Sequence, residues 1–442
     1  MKVEFKKLGI NGEGIGFINR KPVFCDGVLP GETAEVEIIE EKPKYAMARL
    51  KRLITKSPDR IESPSPLEQA HGCPLFILDY QKQLRHKQDI LEQALFKYGN
   101  VKRSFVRDMH ASEKQVGYRS QCKLPVQKSH DVLVNGMYEP KTNHFHPIEH
   151  FLIHDPKLEE IRKEILRILN EEGYDAYNQR SQKGLRYIVL RVIDGKAQCT
   201  LITGKEHIPS IIIDRIMEIP GMESLCQSFN TNRKTNQIFG SPAKVLAGQH
   251  ALTISMDQIQ LQLSAESFFQ LNIDQAEKMY QMAISKIDPC KVLVEAYCGI
   301  GTMALMAKDK ANVVYGIESV PSAVENATNN AKLNNITNTE FICDDAAHGL
   351  RKIAMKKTVD CLLVDPPRSG MDDEMLDTIM YVLPKKIVYI SCNPSTLAKN
   401  LKVLKQRYHV VTVIPYDLFP QTPLVESITV LAVSYTHLTL PT

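Results

Sequence analysis

From about residue 290 the chain alternates apolar strand runs with helical segments, a rhythm that leaves little besides a parallel sheet wrapped by helices. The strand runs are Val292–Glu295, Val313–Ile317, Glu340–Cys343, Cys361–Val364 and Ile387–Ser391. Helical stretches at Met303–Lys308, Ala323–Leu333, Glu374–Tyr381 and Thr396–Leu404 separate them. This is the pattern of a doubly wound α/β domain, whose ligands bind at the carboxyl ends of the strands. Two later runs, Val410–Pro415 and Ser427–Val433, have no helix between them and are expected to pair antiparallel at the end of the sheet.

The segments that follow each strand are where chemistry should lie. Glu295-Ala296-Tyr297-Cys298-Gly299-Ile300-Gly301-Thr302 follows the first strand and opens a helix. Two glycines there let backbone approach a ligand at a helix N-terminus, but the third glycine of a dinucleotide fingerprint is missing, which argues against NAD. Glu318 ends the second strand, where a carboxylate can accept hydrogen bonds from both hydroxyls of a ribose. Together the loop and the acid read as a nucleoside cofactor site. Asp344-Asp345 follows the third strand and reads equally as an acceptor for an adenine amino group or as a solvated turn. Asp365-Pro366-Pro367-Arg368-Ser369-Gly370 follows the fourth, and its two prolines hold Asp365 stiffly at the sheet edge. The fifth ends in Ser391-Cys392-Asn393-Pro394, placing Cys392 beside a helix N-terminus, whose partial positive charge is expected to favour a nucleophilic thiolate. Cys290, Cys298, Cys343 and Cys361 read as buried structural residues.

A chain of 442 residues with 43% apolar content exceeds one core and suffices for two or three. The first sixty residues alternate in short strands, with turn signals at Asn11-Gly12, Asp26-Gly27 and Pro30-Gly31, and suggest a small barrel. Gly12-Glu13-Gly14-Ile15-Gly16 lacks the lysine of a phosphate loop and reads as a tight barrel corner. Pro58 to Pro66 looks like a linker. Residues 67–265 mix helical periodicity, in Tyr80–Tyr98 and Leu158–Leu169, with strand runs such as Tyr187–Val192, and read as an α+β domain. The net charge of +4 is small but uneven: a basic run from Lys42 to Arg60 and a second from Lys82 to Lys128 could follow a phosphate backbone or be solvated faces. No stretch reaches eighteen apolar residues and the amino terminus lacks a signal-peptide pattern, so no membrane association and a cytoplasmic location are expected. Ten cysteines without a CxxC pair fit reduced thiols rather than disulfides or a zinc site, and no metal is expected.

Five ordered motifs, Ser267-Phe268-Phe269-Gln270-Leu271-Asn272, the Tyr297-Cys298-Gly299 loop, Asp365 to Gly370, Ser391 to Pro394 and Phe419-Pro420-Gln421-Thr422 to Glu426, together resemble the RNA uracil-5 methyltransferase family. Residues 1 to about 56 resemble the TRAM RNA-binding barrel that the ribosomal branch usually carries and the bacterial transfer-RNA branch usually lacks. The resemblance implies an α/β class I (Rossmann-like) methyltransferase domain at 266–433, an N-terminal TRAM/OB-like β-barrel at 1–57 and a central α+β RNA-recognition domain at 67–265. It implies S-adenosyl-L-methionine as cofactor, bound with the help of Gln270, Tyr297, Glu318 and Asp365, with Asp345 added by the reading above. It gives Cys392 as the nucleophile at carbon 6 of uracil and Glu426 as the general base. The implied partner is RNA, ribosomal in preference to transfer RNA, with no obligate protein partner evident.

Relatives often hold an iron–sulfur cluster through a C-x5-C-x2-C run and a fourth cysteine; here Pro64, Ala70, Cys73 and Phe151 stand at those places, so no cluster is expected. Leu424 stands where relatives commonly have histidine. The tail from Ser434 to Thr442 leaves the family pattern and reads as foreign to it. Two rival readings are an amino-group RNA methyltransferase, since Asp-Pro-Pro also serves exocyclic nitrogens, and a noncatalytic RNA-binding protein on a degenerate domain.

Overall fold

The computed structural model describes residues 1–139, 142, 144–232 and 237–434; the expectation about the tail beyond Ser434 lies outside the described residues. Two compact units emerge, one of Met1–Gln115, Met282–Tyr297 and 346–442, the other of Val116–Gln281 and Cys298–Asp345.

In the first unit, strands Lys2–Leu8, Gly14–Ile18, Lys21–Cys25, Thr33–Glu41 and Ala46–Thr55 close into a barrel. Alternating Val3, Phe5, Val23, Cys25, Ala34, Val36, Ala46 and Ala48 point inward and form its core. Of the segment expected to form a tight corner, Gly12 lies in the turn at φ +88°, whereas Gly14 and Gly16 belong to strand Gly14–Ile18, where packing demands glycine. A Cβ on Gly14 would lie 2.3 Å from Val28, and one on Gly16 2.5 Å from Val3.

The basic run on the barrel's last strand is not a free cationic track. Arg49 pairs with Glu37 at 2.7 Å, Arg52 with Glu35 at 2.7 Å and Lys42 with Glu40 at 2.8 Å, all exposed. Antiparallel register sets Arg52 opposite Glu35 and Arg49 opposite Glu37, so alternation on two neighbouring strands offsets part of the charge that the linear sequence displays. Arg60 closes the barrel from the linker through a two-pronged contact with buried Glu32, at 2.5 and 2.7 Å.

Helix Tyr80–Gly99 follows, started by Asp79, whose carboxylate accepts from the amides of Gln81 and Lys82. Its buried stripe includes Gln83 and Lys87 as well as Leu91 and Leu95. At its far end Gly99 comes close to Ala398, where a Cβ would lie 3.3 Å from the Ala398 carbonyl oxygen.

The same unit holds parallel strands Cys290–Ala296, Cys361–Val364 and Lys386–Ser391. Strand Glu426–Val433 runs antiparallel beside Lys386–Ser391, and Tyr408–Tyr416 antiparallel beside that, as the missing helix between the last two runs requires. Helices Asp373–Val382 and Pro394–Leu404 follow their strands near the expected positions. Helix Ala346–Ala354 was not anticipated. Its central Gly349 is a poor helix former, and its helicity rests on Ala346, Ala347, Leu350 and Ile353 being buried on one face.

The second unit is built, among the described residues, on a seven-stranded sheet from Gln121–Ser129 to Lys244–Gly248. Helices Pro156–Glu171 and Ser210–Met217 pack on it over a core that includes Ile161, Ile165, Leu190, Leu201 and Leu225, which is the α+β character expected of the middle of the chain. Parallel strands Ala311–Glu318 and Thr339–Cys343 and helix Pro321–Leu333 also belong to it. Cys343, expected to be buried, is exposed because it ends its strand at the start of a turn; Cys298 and Cys361 are buried and Cys290 is partly so.

Candidate active site

Register alone assembles the first half of the site. Ala296 pairs with Val364, Val364 with Tyr389 and Ser391 with Ser427. Tyr297 and Asp365 directly follow the first of these pairs, and Cys392 and Glu426 adjoin the last, so all four gather at the carboxyl ends of the parallel strands. Cys392 leads into Asn393, whose side-chain oxygen accepts from the amides of Ser395 and Thr396 and starts helix Pro394–Leu404. Asn393 and Thr396 also donate to the Arg368 carbonyl, at 3.3 and 3.4 Å, tying the Asp-Pro-Pro-Arg loop to that helix.

Asn400, which no sequence pattern singled out, holds the same loop. Its oxygen accepts from the Met371 amide and the Tyr389 hydroxyl, and its amide nitrogen donates to the Met371 carbonyl. A Cβ on Gly370 would fall 2.8 Å from that oxygen, and Gly370 has φ +79°, so the loop is fitted around one asparagine.

The electrostatics reverse one expectation. Burial is the largest influence on Cys392, and the negative charges of Glu426 and Asp365 add to it; backbone hydrogen bonding and Arg368 oppose them and lose, so the thiol is pushed up to about 12. The helix terminus therefore does not leave a thiolate in the free protein. Burial likewise raises Asp365 to about 7. Glu426 lies well above the usual carboxylate range, through burial first and the Asp365 charge second, against the pull of Arg368. The corner thus stores protons at neutral pH.

A second network fixes the segment leading to Glu426. Asp417 accepts from Lys87 at 2.5 Å and from the Tyr80 hydroxyl at 3.0 Å, with the Lys87 and Asp417 side chains both fully buried. Lys87 also donates to the Phe419 carbonyl at 2.9 Å. Gln83 and Gln421 exchange two hydrogen bonds, at 2.8 and 3.1 Å, and Gln421 sits at φ +67°. Lys87 and Gln83 look from the sequence like ordinary polar helix residues, and a five-residue spacing from Gln83 to the buried Leu78 region gives no hint of a partner more than three hundred positions away.

In the second unit the glycine loop is shaped by its neighbours. Cys298 donates its amide to the Ile317 carbonyl, and the Glu318 carboxylate accepts from the amides of Gly299 at 3.1 Å and Val320 at 2.9 Å. Gly301, at φ +81°, would drive a Cβ within 2.7 Å of Phe341, whereas a Cβ on Gly299 would meet nothing within 4 Å. The loop is therefore packed on its inner side and open at Gly299. Asp344 donates its amide to the Glu318 carbonyl and accepts from the Asp345 amide, which places Asp345 next to that strand end. Gln270 lies in the partly buried segment after Ser264 and Ser267, whose carbonyls accept from the buried Arg191 guanidinium. Phe268 beside it is 76% exposed. The open glycine backbone with a fixed carboxylate beside it fits a nucleoside cofactor. Pro64, Ala70 and Phe151 offer no thiolate, so the positions of an iron–sulfur cluster do not fit one.

Residues 247–433 match the family described as tRNA (Uracil-5-)-methyltransferase, and residues 1–51 match the TRAM domain. An uncharacterised RNA methyltransferase of Bacillus cereus is 37% identical over 96% of this chain and 95% of its own. One from Listeria innocua is 34% identical over 98% and 97%. Among solved structures, the Pyrococcus abyssi tRNA (uracil-54, C5)-methyltransferase in complex with S-adenosyl-L-homocysteine aligns with 98% of this chain and 100% of that one, with TM-score 0.78 and 24% identity.

Proposed function

Since the chain belongs to the RNA uracil-5 methyltransferase family and is an S-adenosylmethionine-dependent enzyme, we propose that it methylates carbon 5 of a uridine in 23S ribosomal RNA through a covalent bond from Cys392 to carbon 6. The observation that carries this reading is the pairing of Ser391 with Ser427, which brings Cys392 and Glu426 together where the Asp365 charge acts on both. Family membership displaces the amino-group and noncatalytic readings.

Gln270, Tyr297, Glu318, Asp345 and Asp365 are the residues proposed to hold the cofactor. S-adenosylmethionine supplies, when bound, an electrophilic methyl carried on a positively charged sulfonium, and positive charge near acidic groups favours their ionised forms. Cys392 and Glu426 must each give up a proton to solvent before they can act, which is the uphill step in a corner where burial and neighbouring carboxyls hold those protons. The thiolate then adds to carbon 6, and the electron pair of the C5=C6 bond moves into the ring as an enolate, making carbon 5 nucleophilic. After carbon 5 is methylated, the Glu426 carboxylate takes its remaining proton; the C5–H pair re-forms C5=C6 as the C6–S bond breaks, returning the Cys392 thiolate. With the thiolate on one face of the ring and the methyl donor on the other, the base must be unstacked, which favours a flipped or single-stranded uridine.

RNA carrying 5-fluorouridine tests this directly, because a fluorine at carbon 5 cannot leave as a proton. A stable protein–RNA bond at Cys392 is expected, and turnover without cross-linking there would overturn the mechanism. A second reading, transfer RNA, is supported by one observation: the Pyrococcus tRNA (uracil-54, C5)-methyltransferase aligns with 98% of this chain, its barrel included. Labelled cofactor, offered with ribosomal and transfer RNA from a strain lacking the gene, separates the two. The proposed domain limits are 1–57, 67–265 and 266–433. No helix among the described residues is long and apolar enough to cross a membrane, and the proposed location is the cytoplasm, where the RNA substrate resides.

A further inference from the structure

We infer that the hairpin tip around Glu139, His144 and His146 is a divalent metal site of zinc type, separate from the methyl-transfer chemistry. Strands Val132–Tyr138 and Phe145–Pro147 pair with Met137 opposite His146 and Tyr138 opposite Phe145. The ladder continues one residue further, since the Glu139 amide donates to the His144 carbonyl at 2.9 Å. Because side chains alternate across a strand, Glu139, His144 and His146 share one face while Tyr138 and Phe145 share the other. Tyr138 and Phe145 pack edge to face with centroids 5.4 Å apart, which helps hold the hairpin in that register. Gly136 lets the strands approach: a Cβ there would lie 2.1 Å from the His146 carbonyl oxygen.

On the metal-facing side, His144 Nδ1 and His146 Nε2 are 2.9 Å apart, and one ligand atom from each of the three residues lies within 4.8 Å of the others. Two imidazole nitrogens on one tetrahedral zinc, each bonded at about 2.0–2.1 Å, stand about 3.3 Å from each other, so a small splay of the rings accommodates the ion. Two nitrogens and one carboxylate oxygen suit a late first-row divalent cation better than magnesium or calcium, which favour all-oxygen shells. Three protein donors leave a fourth position for water. Glu139 and His144 are exposed and His146 is half-buried, so the ion has an open path from solvent. The sequence signal is a His-x-His pair, His144 just before a strand and His146 within it, which paired-cysteine spacing does not reveal.

The test uses metal-stripped full-length protein titrated with Co2+ as a spectroscopic probe and then with Zn2+ in competition with a chromophoric chelator. One Co2+ per chain should bind with visible d–d bands and without the near-ultraviolet sulfur-to-cobalt band that ligation by any of the cysteines would give. His144→Ala, His146→Ala and His146→Gln should each weaken Zn2+ binding by at least about tenfold, with far-ultraviolet circular dichroism unchanged; Glu139→Gln should weaken it less. Binding that survives the histidine substitutions, a sulfur band, or no binding at all would overturn the proposal. None of these readouts depends on methylation, so their failure leaves the proposed activity untouched.

Discussion

Two buried acidic corners of the same unit treat charge in opposite ways. At Asp417 a buried lysine and a tyrosine hydroxyl meet the carboxylate directly. At Cys392 two carboxyls and a thiol crowd together, and the nearby Arg368, exposed on its loop, fails to offset their burial. The first corner is matched and structural. The second is left unmatched, so burial keeps its groups protonated, and such a gathering of perturbed groups marks a reactive site more than a scaffold.

The comparison breaks most visibly at the nucleophile. Cys392→Ser should lower methylation by on the order of 10⁴-fold or more without lowering Tm; a loss of stability instead would make Cys392 part of the scaffold. Next, Glu426→Gln should slow turnover by about 10²–10⁴-fold while the RNA adduct accumulates on denaturing gels, since proton removal follows bond formation. On the matched side, Lys87→Met should cost about 3–5 kcal/mol by leaving Asp417 buried and alone, measured by urea unfolding. The double variant Lys87→Met, Asp417→Leu should recover much of that loss.

A pH experiment sharpens the contrast. Because the Asp365 carboxyl is raised to about 7, the folded protein holds its proton more tightly than the unfolded chain does. Its contribution to stability is complete below the ordinary carboxylate range and is lost as pH rises toward 7. Asp365→Asn should therefore raise Tm by a few degrees at pH 8 and change it less at pH 5, while methylation falls at both. The smallest effect belongs to the barrel: Arg49→Ala with Arg52→Ala removes exposed pairs with Glu37 and Glu35 and should leave thermal unfolding unchanged.

What could be read from the chain follows the range of the forces involved. The parallel strands, the barrel turn at Asn11 and Gly12, and the placing of Tyr297, Asp365 and Cys392 at strand ends were legible because each depends on periodicity or on residues close in sequence. The charge state of Cys392 was not, because helix-terminus logic sees Asn393 and Pro394 but not Glu426 across the register. The ion pairing within the barrel's basic run was hidden for the same reason: Arg52 and Glu35 are seventeen positions apart in the chain and 2.7 Å apart in space. Lys87, Asn400 and Arg191 were invisible, since a polar residue inside a helix or strand gives no sign of a distant partner.

The pairing of Ser391 with Ser427 has one more consequence. Inserting a single residue within Glu426–Val433 would turn alternate side chains to the opposite side of the sheet, whereas lengthening the connection between Leu404 and Tyr408 would not disturb that alignment. Tolerance to length change along this stretch should accordingly be all or nothing, dictated by whether the added residue falls inside the ladder or outside it.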